Sequence, residues 1–164
     1  MENNLKNNTV LDLLFRAANS NPSKTYCKSD YHEFTYQQFI TACITLSNKI
    51  SDKNIKKERI GIFLPNSILF LISYFAILIS GNRPALLNYL LPDFALSKLI
   101  DNLEPSLLIS DKALLKSPSI IVKIEDYLEL EESKIDESDF RCESSEVGAI
   151  LFSGGTTGIP KQIN

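Results

Sequence analysis

Histidine and cysteine, the residues that most often form metal and redox sites, are scarce in this sequence. The single histidine, His32, excludes a histidine-rich metal site. The residue count does not exclude a Ser-His-Asp triad that includes His32, but the sequence contains no nucleophile-elbow motif to support one. The three cysteines, Cys27, Cys43 and Cys142, are odd in number and widely spaced, so they fit neither a metal motif nor a disulfide framework. A reducing compartment and a cytoplasmic location are therefore expected.

Signals for membranes and nucleic acids are also missing. The amino terminus, MENNLKNN, lacks the apolar core of a signal peptide. Residues 68–79 are almost uniformly apolar, but this stretch is shorter than the ~20 residues that span a bilayer, which favours a buried helix over a membrane anchor. Because no basic cluster is interleaved with aromatic residues, nucleic-acid binding is not expected.

The composition is that of an ordinary soluble globular domain. The chain is 44% hydrophobic and 23% charged, and residues 1–164 are predicted to form one unit. The net charge of −3 is unevenly distributed, since residues 125–146 contain ten acidic and two basic side chains. Such an acidic block usually forms a solvated connector, and we predict one at about 125–146.

Apolar runs and amphipathic stretches alternate along the chain and indicate its fold class. The predicted helices cover residues 10–18, the stretch after Thr35, 68–79 and 93–103, with a short helical piece around 113–116. The predicted strands cover residues 60–64, 84–88, 107–109 and 120–122, and a hairpin joins 25–27 to 33–35. This alternation predicts an α/β fold with a largely parallel sheet and helices on both of its faces.

Several helix ends can be assigned from short-range signals. Thr9 and Ser67 are predicted N-caps, and Thr35 with Gln38 forms a predicted capping box. Gly81 is predicted to end the apolar helix because glycine adopts a left-handed conformation without strain. The apolar stripe of the second helix comprises Phe39, Cys43, Leu46 and Ile50.

The stretch ILFSGGTTGIPK, residues 150–161, is the most distinctive part of the chain. The apolar run that begins near residue 147 predicts a buried strand, and residues 153–158 are expected to form a poorly ordered loop between two strands. Backbone N–H groups in a glycine-rich loop suit phosphate oxygens. Thr156 and Thr157 add hydroxyl donors, and Lys161 adds a positive charge. The stretch therefore predicts an anion loop for a nucleoside triphosphate.

Two well-known phosphate loops do not match this stretch. A Walker-type loop ends in Gly-Lys-Ser/Thr, whereas Gly158 is followed by Ile159. The dinucleotide fingerprint requires G-x-G-x-x-G, which the spacing of Gly154, Gly155 and Gly158 does not supply.

The loop does resemble the phosphate-binding signature of the adenylate-forming enzymes, T-S-G-T-T-G-x-P-K-G. This superfamily includes acyl-CoA synthetases, peptide synthetase adenylation domains and firefly luciferase. Gly154 stands in place of the usual Ser and Gln162 in place of the last Gly. The resemblance implies a phosphate-binding set of Ser153, Gly154, Gly155, Thr156, Thr157, Gly158 and Lys161.

Weaker similarities extend over most of the chain. Residues 81–88 resemble the second motif of the superfamily, and Asn88 at its end is closer to acyl-CoA synthetases than to peptide synthetases. The Thr35-Tyr36 pair resembles the start of the first motif. The chain is therefore predicted to be the incomplete first part of the adenylate-forming N-terminal domain.

The resemblance implies an ATP-dependent ligase that converts a carboxylic acid to an acyl-adenylate and then passes the acyl group to a thiol. It also implies Mg²⁺ as a cofactor, with the metal-binding Glu outside this chain. No catalytic residue is predicted within residues 1–164, so the chain alone is not expected to be active. Because residues 68–79 need cover on nearly every side, self-association is expected.

Two alternatives remain beside the ligase. One is a non-catalytic module, from a truncated or split gene, that binds phosphate or a protein partner. The other is an unrelated α/β domain with a Gly-Thr loop.

Overall fold

The computed structural model describes residues 9–114, 118–130, 148–152 and 162–163, the last pair by backbone only. The helices are α1 (Val10–Ser20), α2 (Tyr36–Ser51), α3 (Ile68–Ile79) and α4 (Asp93–Leu103), with one 3₁₀ helix at Ile124–Tyr127. The strands are β1 (Thr25–Lys28), β2 (Glu33–Thr35), β3 (Arg59–Phe63), β4 (Arg83–Leu86), β5 (Leu107–Ser110), β6 (Ser119–Ile121), β7 (Leu151–Phe152) and β8 (Gln162–Ile163).

A parallel sheet in the order β4-β3-β5-β6 forms the centre of the fold. Helix α3 links β3 to β4 and helix α4 links β4 to β5, as parallel strands require a crossover connection. Strands β1 and β2 form a separate antiparallel hairpin. The predicted α/β class and the parallel sheet are confirmed.

Side chains of the central strands alternate between two apolar clusters, one on each face of the sheet. Ile60 and Ile62 of β3 pack with α1, α2 and α3, whereas Phe63 packs with α4 on the opposite face. Gly61 shares the α4 face, where an added Cβ would lie 2.5 Å from a methyl carbon of Leu108. Helices therefore cover both faces, as predicted, and the close approach explains why β3 contains a glycine.

The predicted helix ends agree with the observed ones. Both α1 and α2 begin with a complete capping box, formed by Thr9 with Asp12 and by Thr35 with Gln38. Ser67 caps α3 by accepting a hydrogen bond from the Phe70 amide. The four residues of the predicted α2 stripe are all fully buried: Phe39, Cys43, Leu46 and Ile50.

The turn from α3 into β4 is fixed by a buried amide. Gly81 has a φ of 76°, the left-handed conformation expected at this helix end. The side chain of Asn82 accepts a hydrogen bond from the Glu58 amide at 3.1 Å and donates one to the Ile55 carbonyl at 3.1 Å. This turn is thereby tied to the start of β3, so β3 and β4 begin at the same edge of the sheet.

Helix α3 is covered along its whole length. Each of its residues is buried or half-buried, because α1 and α2 pack against it from one side and β3 and β4 from the other. The large exposed apolar side chains of the described residues lie in other elements, so α3 is not the uncovered surface on which the self-association prediction was based. Within the described ranges, no helix is long and apolar enough to cross a bilayer.

One sequence-based expectation meets a different local structure, and a second, the connector at about 125–146, stays a prediction. Residues 113 and 114 are not helical, and the rest of the helical piece predicted around 113–116 lies outside the described residues. The stretch predicted as a solvated connector begins with the 3₁₀ helix, which buries Tyr127 to 2% exposure. Because Tyr127 follows two acidic residues, the charge pattern did not indicate that its side chain is buried. Residues 131–147 lie outside the described part of the chain.

Candidate functional site

The structure describes the frame of the predicted phosphate loop. Lys161 and residues 153–158, which make up the predicted binding set, lie outside the described residues. Strands β7 and β8 flank this segment and pair in antiparallel fashion, with Leu151 opposite Ile163 and Phe152 opposite Gln162. The expectation of a strand on each side of the loop is confirmed by β7 and β8.

The segment that leads into the loop extends the central sheet. Ile150 pairs in parallel with Ala85 of β4, and its amide donates to the Pro84 carbonyl at 2.8 Å. In return, the Leu86 amide donates to the Ile150 carbonyl at 3.0 Å. This segment therefore runs in the same direction as β4 and ends at the carboxyl edge of the sheet, where open α/β sheets bind ligands.

The prediction of a buried strand in this segment is only partly right. Ile150 is buried at 3% exposure, but Leu151 is 48% exposed. The physical reason is the position of the segment on the outer side of β4, where in the described structure only β8 pairs with Leu151.

A tyrosine of α3 anchors the start of the same segment. The Tyr74 hydroxyl donates to the Gly148 carbonyl at 3.0 Å. Burial raises the pKa of Tyr74 above its ordinary value, which further favours the protonated phenol that donates this hydrogen bond. The loop is thus connected to the rigid core through the α3 helix as well as through β4.

A second group of side chains lies at the carboxyl edge, on the turns that follow the strands. Phe63 ends β3, Tyr89 follows β4, and Asp111 and Lys112 follow β5. Asn88, the last residue of the resemblance to the second motif, accepts a hydrogen bond from the Leu90 amide at 2.9 Å and so shapes the turn that presents Tyr89.

Contacts among these side chains join three strands. The rings of Phe63 and Tyr89 lie with centroids 5.0 Å apart. The Tyr89 hydroxyl donates to Asp111 Oδ2 at 2.9 Å, and this hydrogen bond is the main reason that the pKa of Tyr89 is raised. The Lys112 Nζ lies 5.2 Å from the Phe63 centroid and 5.4 Å from the Tyr89 centroid. We call Phe63, Tyr89, Asp111 and Lys112 the carboxyl-edge cluster.

An open cavity of about 330 Å³ lies beside this cluster. Its wall on α4 consists of Asp93, Leu96, Ser97 and Ile100, and its opposite wall consists of Lys112, Ala113 and Leu114. Four of these lining residues are apolar, and the other three, Asp93, Ser97 and Lys112, carry polar groups. The cavity therefore has room for a small polar ligand next to Lys112.

The carboxyl-edge cluster was not among the residues predicted from the sequence. A usable signal was present, because each member lies at or just after the end of a predicted strand and parallel strands end at one edge. Their mutual contacts depend on the strand order, which the sequence pattern does not specify.

The described residues do not provide a site for Mg²⁺. Across 9–114, 118–130 and 148–152, no three His, Cys, Asp or Glu side chains come together in a way that could hold a metal ion. The donors that this part of the chain offers are consequently a poor fit to a divalent cation.

Solved structures of several other proteins share the fold of this chain. The N-terminal subdomain of NpsA from Klebsiella oxytoca matches with a TM-score of 0.76 and 18% identity over 94% of this chain and 41% of that one. The o-succinylbenzoate coenzyme A synthetase MenE from Bacillus subtilis, solved with AMP, matches with a TM-score of 0.73 and 16% identity over 92% of this chain and 40% of that one. VinN, solved with L-aspartate, matches with a TM-score of 0.74 and 18% identity over 95% of this chain and 43% of that one.

This chain therefore spans about two-fifths of the length of these structures. At this level of identity the match establishes a shared fold. The family model of the AMP-binding enzymes matches residues 14–163, which is nearly the whole chain. On this match, the chain belongs to the family of AMP-binding enzymes and corresponds to the N-terminal region of the adenylate-forming fold.

Proposed function

We propose that this chain is the N-terminal part of an ATP-dependent acyl-activating ligase and that residues 153–161 bind the phosphates of ATP. Residues 1–164 would then be one unit of the AMP-binding domain, with 125–146 as a connector. The observation that supports this proposal is the frame of the loop. β7 and β8 pair at its base, and Ile150 joins it to β4 at the carboxyl edge of a parallel sheet.

The proposed reaction is the transfer of an adenylyl group to a carboxylic acid. A carboxylate oxygen attacks the α-phosphorus of ATP, the bond to the bridging oxygen breaks, and pyrophosphate leaves with the electron pair. The acyl-adenylate then transfers its acyl group to a thiol acceptor, and AMP is released. This proposal extends to the present chain what the family description and the AMP complex of MenE suggest.

Residues of the loop have a defined part in this proposal. Backbone N–H groups of the glycine-rich stretch and the hydroxyls of Thr156 and Thr157 donate hydrogen bonds to the β- and γ-phosphates. Lys161 neutralises the charge that develops on the leaving pyrophosphate. Mg²⁺ would be held by the Glu that the resemblance places outside residues 1–164, since the described residues offer no ligand set for it.

Titration of ATP and of pyrophosphate into the 164-residue chain tests the role of the loop. Each charge-assisted hydrogen bond contributes about 1.5–3 kcal/mol, so Thr156→Ala and Lys161→Ala are each expected to weaken binding by about tenfold or more. Lys53→Ala is the matched control, since Lys53 is an exposed lysine in a loop far along the chain from residues 153–161. Millimolar or weaker affinity is expected for the wild-type chain.

Unchanged binding in both loop variants would remove residues 153–161 from the proposal. The isolated chain is also expected to catalyse no acid-dependent exchange of labelled pyrophosphate into ATP, and measurable exchange would show that it is a complete catalyst. Reading the gene downstream of Asn164 separates a ligase from a non-catalytic module. A ligase requires the metal-binding Glu and the catalytic Lys that the resemblance implies.

A further inference from the structure

Two opposite charges line the cavity between α4 and the turn after β5. Asp93, in the first turn of α4, belongs to one wall, and Lys112 belongs to the other. Within the ranges 9–114, 118–130 and 148–152, neither side chain has an ion-pair partner within 4.0 Å, and the two do not pair with each other. The cavity therefore offers one carboxylate and one ammonium group to a ligand.

The ammonium group of Lys112 is held in position by its surroundings. Its Nζ lies 5.2 Å from the Phe63 centroid and 5.4 Å from the Tyr89 centroid, where the faces of the rings attract a cation. The Lys112 amide donates to Oγ of the buried Ser110 at 3.2 Å, which sets the turn after β5. The Tyr89 ring is held in turn by the hydrogen bond from its hydroxyl to Asp111. A positioned cation loses less conformational freedom when it binds an anion.

The remaining lining residues suit an aliphatic chain. Leu96 and Ile100 line the cavity and are part of the apolar cluster on the α4 face of the sheet, and Leu114 packs against the same cluster. Ala113 is the fourth apolar lining residue, and Ser97 adds one hydroxyl group. Methylene groups of a ligand gain free energy by covering such surface.

The size of the cavity limits the spacing of the charges that a ligand can carry. Its volume of about 330 Å³ lies at the small end of the range for ligand pockets. In an α-amino acid a single carbon separates the ammonium from the carboxylate, which is too short to reach both Asp93 and Lys112 across the cavity. In an ω-amino acid an aliphatic chain separates the two charges, so both walls can be reached at once.

We propose that this cavity binds a small ω-amino acid. Its carboxylate contacts the ammonium group of Lys112, its ammonium group contacts the carboxylate of Asp93, and its methylene groups cover the apolar lining residues. This site consists only of residues 93–100 and 112–114 and does not depend on the function proposed for residues 153–161.

The probe is 6-aminohexanoate, and hexanoate and hexylamine each carry one of its two charged ends. Each is titrated into the 164-residue chain at low ionic strength, because salt screens exposed charges. Amide NMR signals of Ser97 and Ala113 are expected to shift, whereas that of His32 in the β1–β2 hairpin stays unchanged. With two charged contacts, 6-aminohexanoate should bind about tenfold more tightly than either of the other probes.

Two substitutions assign the ends of the ligand. Lys112→Met is expected to weaken 6-aminohexanoate and hexanoate by about tenfold and to leave hexylamine unchanged, and Asp93→Asn should weaken 6-aminohexanoate and hexylamine but not hexanoate. Lys112→Arg and Asp93→Glu keep the charges and should retain most of the affinity. Lys98→Met and Asp30→Asn are the matched controls, since both remove an exposed charge that does not line the cavity. Thermal unfolding confirms that each variant is folded.

Three results would overturn the proposal. The first is the absence of any shift at Ser97 and Ala113 with 6-aminohexanoate. The second is equal affinity for hexanoate and 6-aminohexanoate, which would mean that Lys112 binds an anion without help from Asp93. The third is an equal loss of affinity in the control variants, which would reduce the effect to net charge. None of these results changes the outcome of the ATP titration, so the two proposals can fail separately.

Discussion

At the scale of single residues, Tyr127 has a hydroxyl group that is buried without a hydrogen-bond partner among the described residues. The side chain is only 2% exposed. An unpaired buried hydroxyl costs about 1–3 kcal/mol. The same burial raises the pKa of Tyr127 from 10.0 to about 12, with smaller contributions from Asp126 and Cys43.

We expect Tyr127→Phe to raise the free energy of unfolding at pH 7 by about 1 kcal/mol, because it removes the unpaired hydroxyl and keeps the ring. Urea denaturation of the 164-residue chain measures this change. Tyr31→Phe is the matched control, since Tyr31 is 88% exposed. A clear loss of stability in Tyr127→Phe would mean that the hydroxyl has a partner outside the described residues.

The raised pKa of Tyr127 also predicts how stability depends on pH. An unfolded tyrosine ionises near pH 10.0, whereas folded Tyr127 stays protonated up to about 12. The unfolded chain therefore binds fewer protons in this interval, and stability that is present below pH 10 is lost as the pH rises from about 10 to about 12. Tyr127→Phe should lose less stability over this window. Some loss should remain, because burial also raises the pKa of Tyr26 to about 12.

At the scale of elements, the contact between α3 and the segment before β7 determines how firmly the loop base is held. Tyr74→Phe removes only the hydrogen bond to the Gly148 carbonyl. Because a single hydrogen bond contributes about 0.5–1.5 kcal/mol, we expect a loss of that size in local stability. Faster hydrogen exchange at the amides of Ile150 and Leu86 would report it.

The internal control for this prediction is a strand that lies in the same sheet but away from the loop. Amides of β5, such as that of Leu108, should exchange at the wild-type rate in Tyr74→Phe. Equal acceleration at Leu108 and Ile150 would indicate global destabilisation, and no acceleration at either would indicate that β4 alone holds the segment.

At the scale of the whole molecule, the large exposed apolar side chains of the described residues lie outside α3, the helix from which self-association was expected. Leu90, in the turn before α4, is 87% exposed, and Phe94, in the first turn of α4, is 66% exposed. They lie near the carboxyl edge of a chain that spans about two-fifths of the structures it matches. Self-association through this surface remains a prediction.

We expect the double variant Leu90→Ser/Phe94→Ser to reduce self-association of the 164-residue chain, because it removes the largest exposed apolar side chains at that edge. Sedimentation velocity over a range of concentrations measures the effect. The double variant Val10→Ser/Leu13→Ser on α1 is the matched control, since these residues are 46% and 55% exposed. A wild-type chain that stays monomeric at all concentrations would contradict this prediction.

Much of the architecture was predictable because it depends on short-range patterns. The caps at Thr9, Thr35 and Ser67 involve groups within a few residues of one another, so their side chains identify the helix ends. The alternation of apolar strands and helices was sufficient for the α/β class. The loop motif was sufficient for the family, which the match over residues 14–163 confirms. The binding set proposed at residues 153–161 stays a prediction.

Only the tertiary structure decided which side chains meet at the carboxyl edge. Tyr89 and Asp111 are 22 positions apart, and their hydrogen bond exists because β3 lies between β4 and β5 in a parallel sheet. The burial of Tyr127 and the exposure of Leu151 likewise follow from neighbours that are distant in sequence. Periodicity reports which face of an element is apolar, but the order and direction of the strands determine which faces and ends come together.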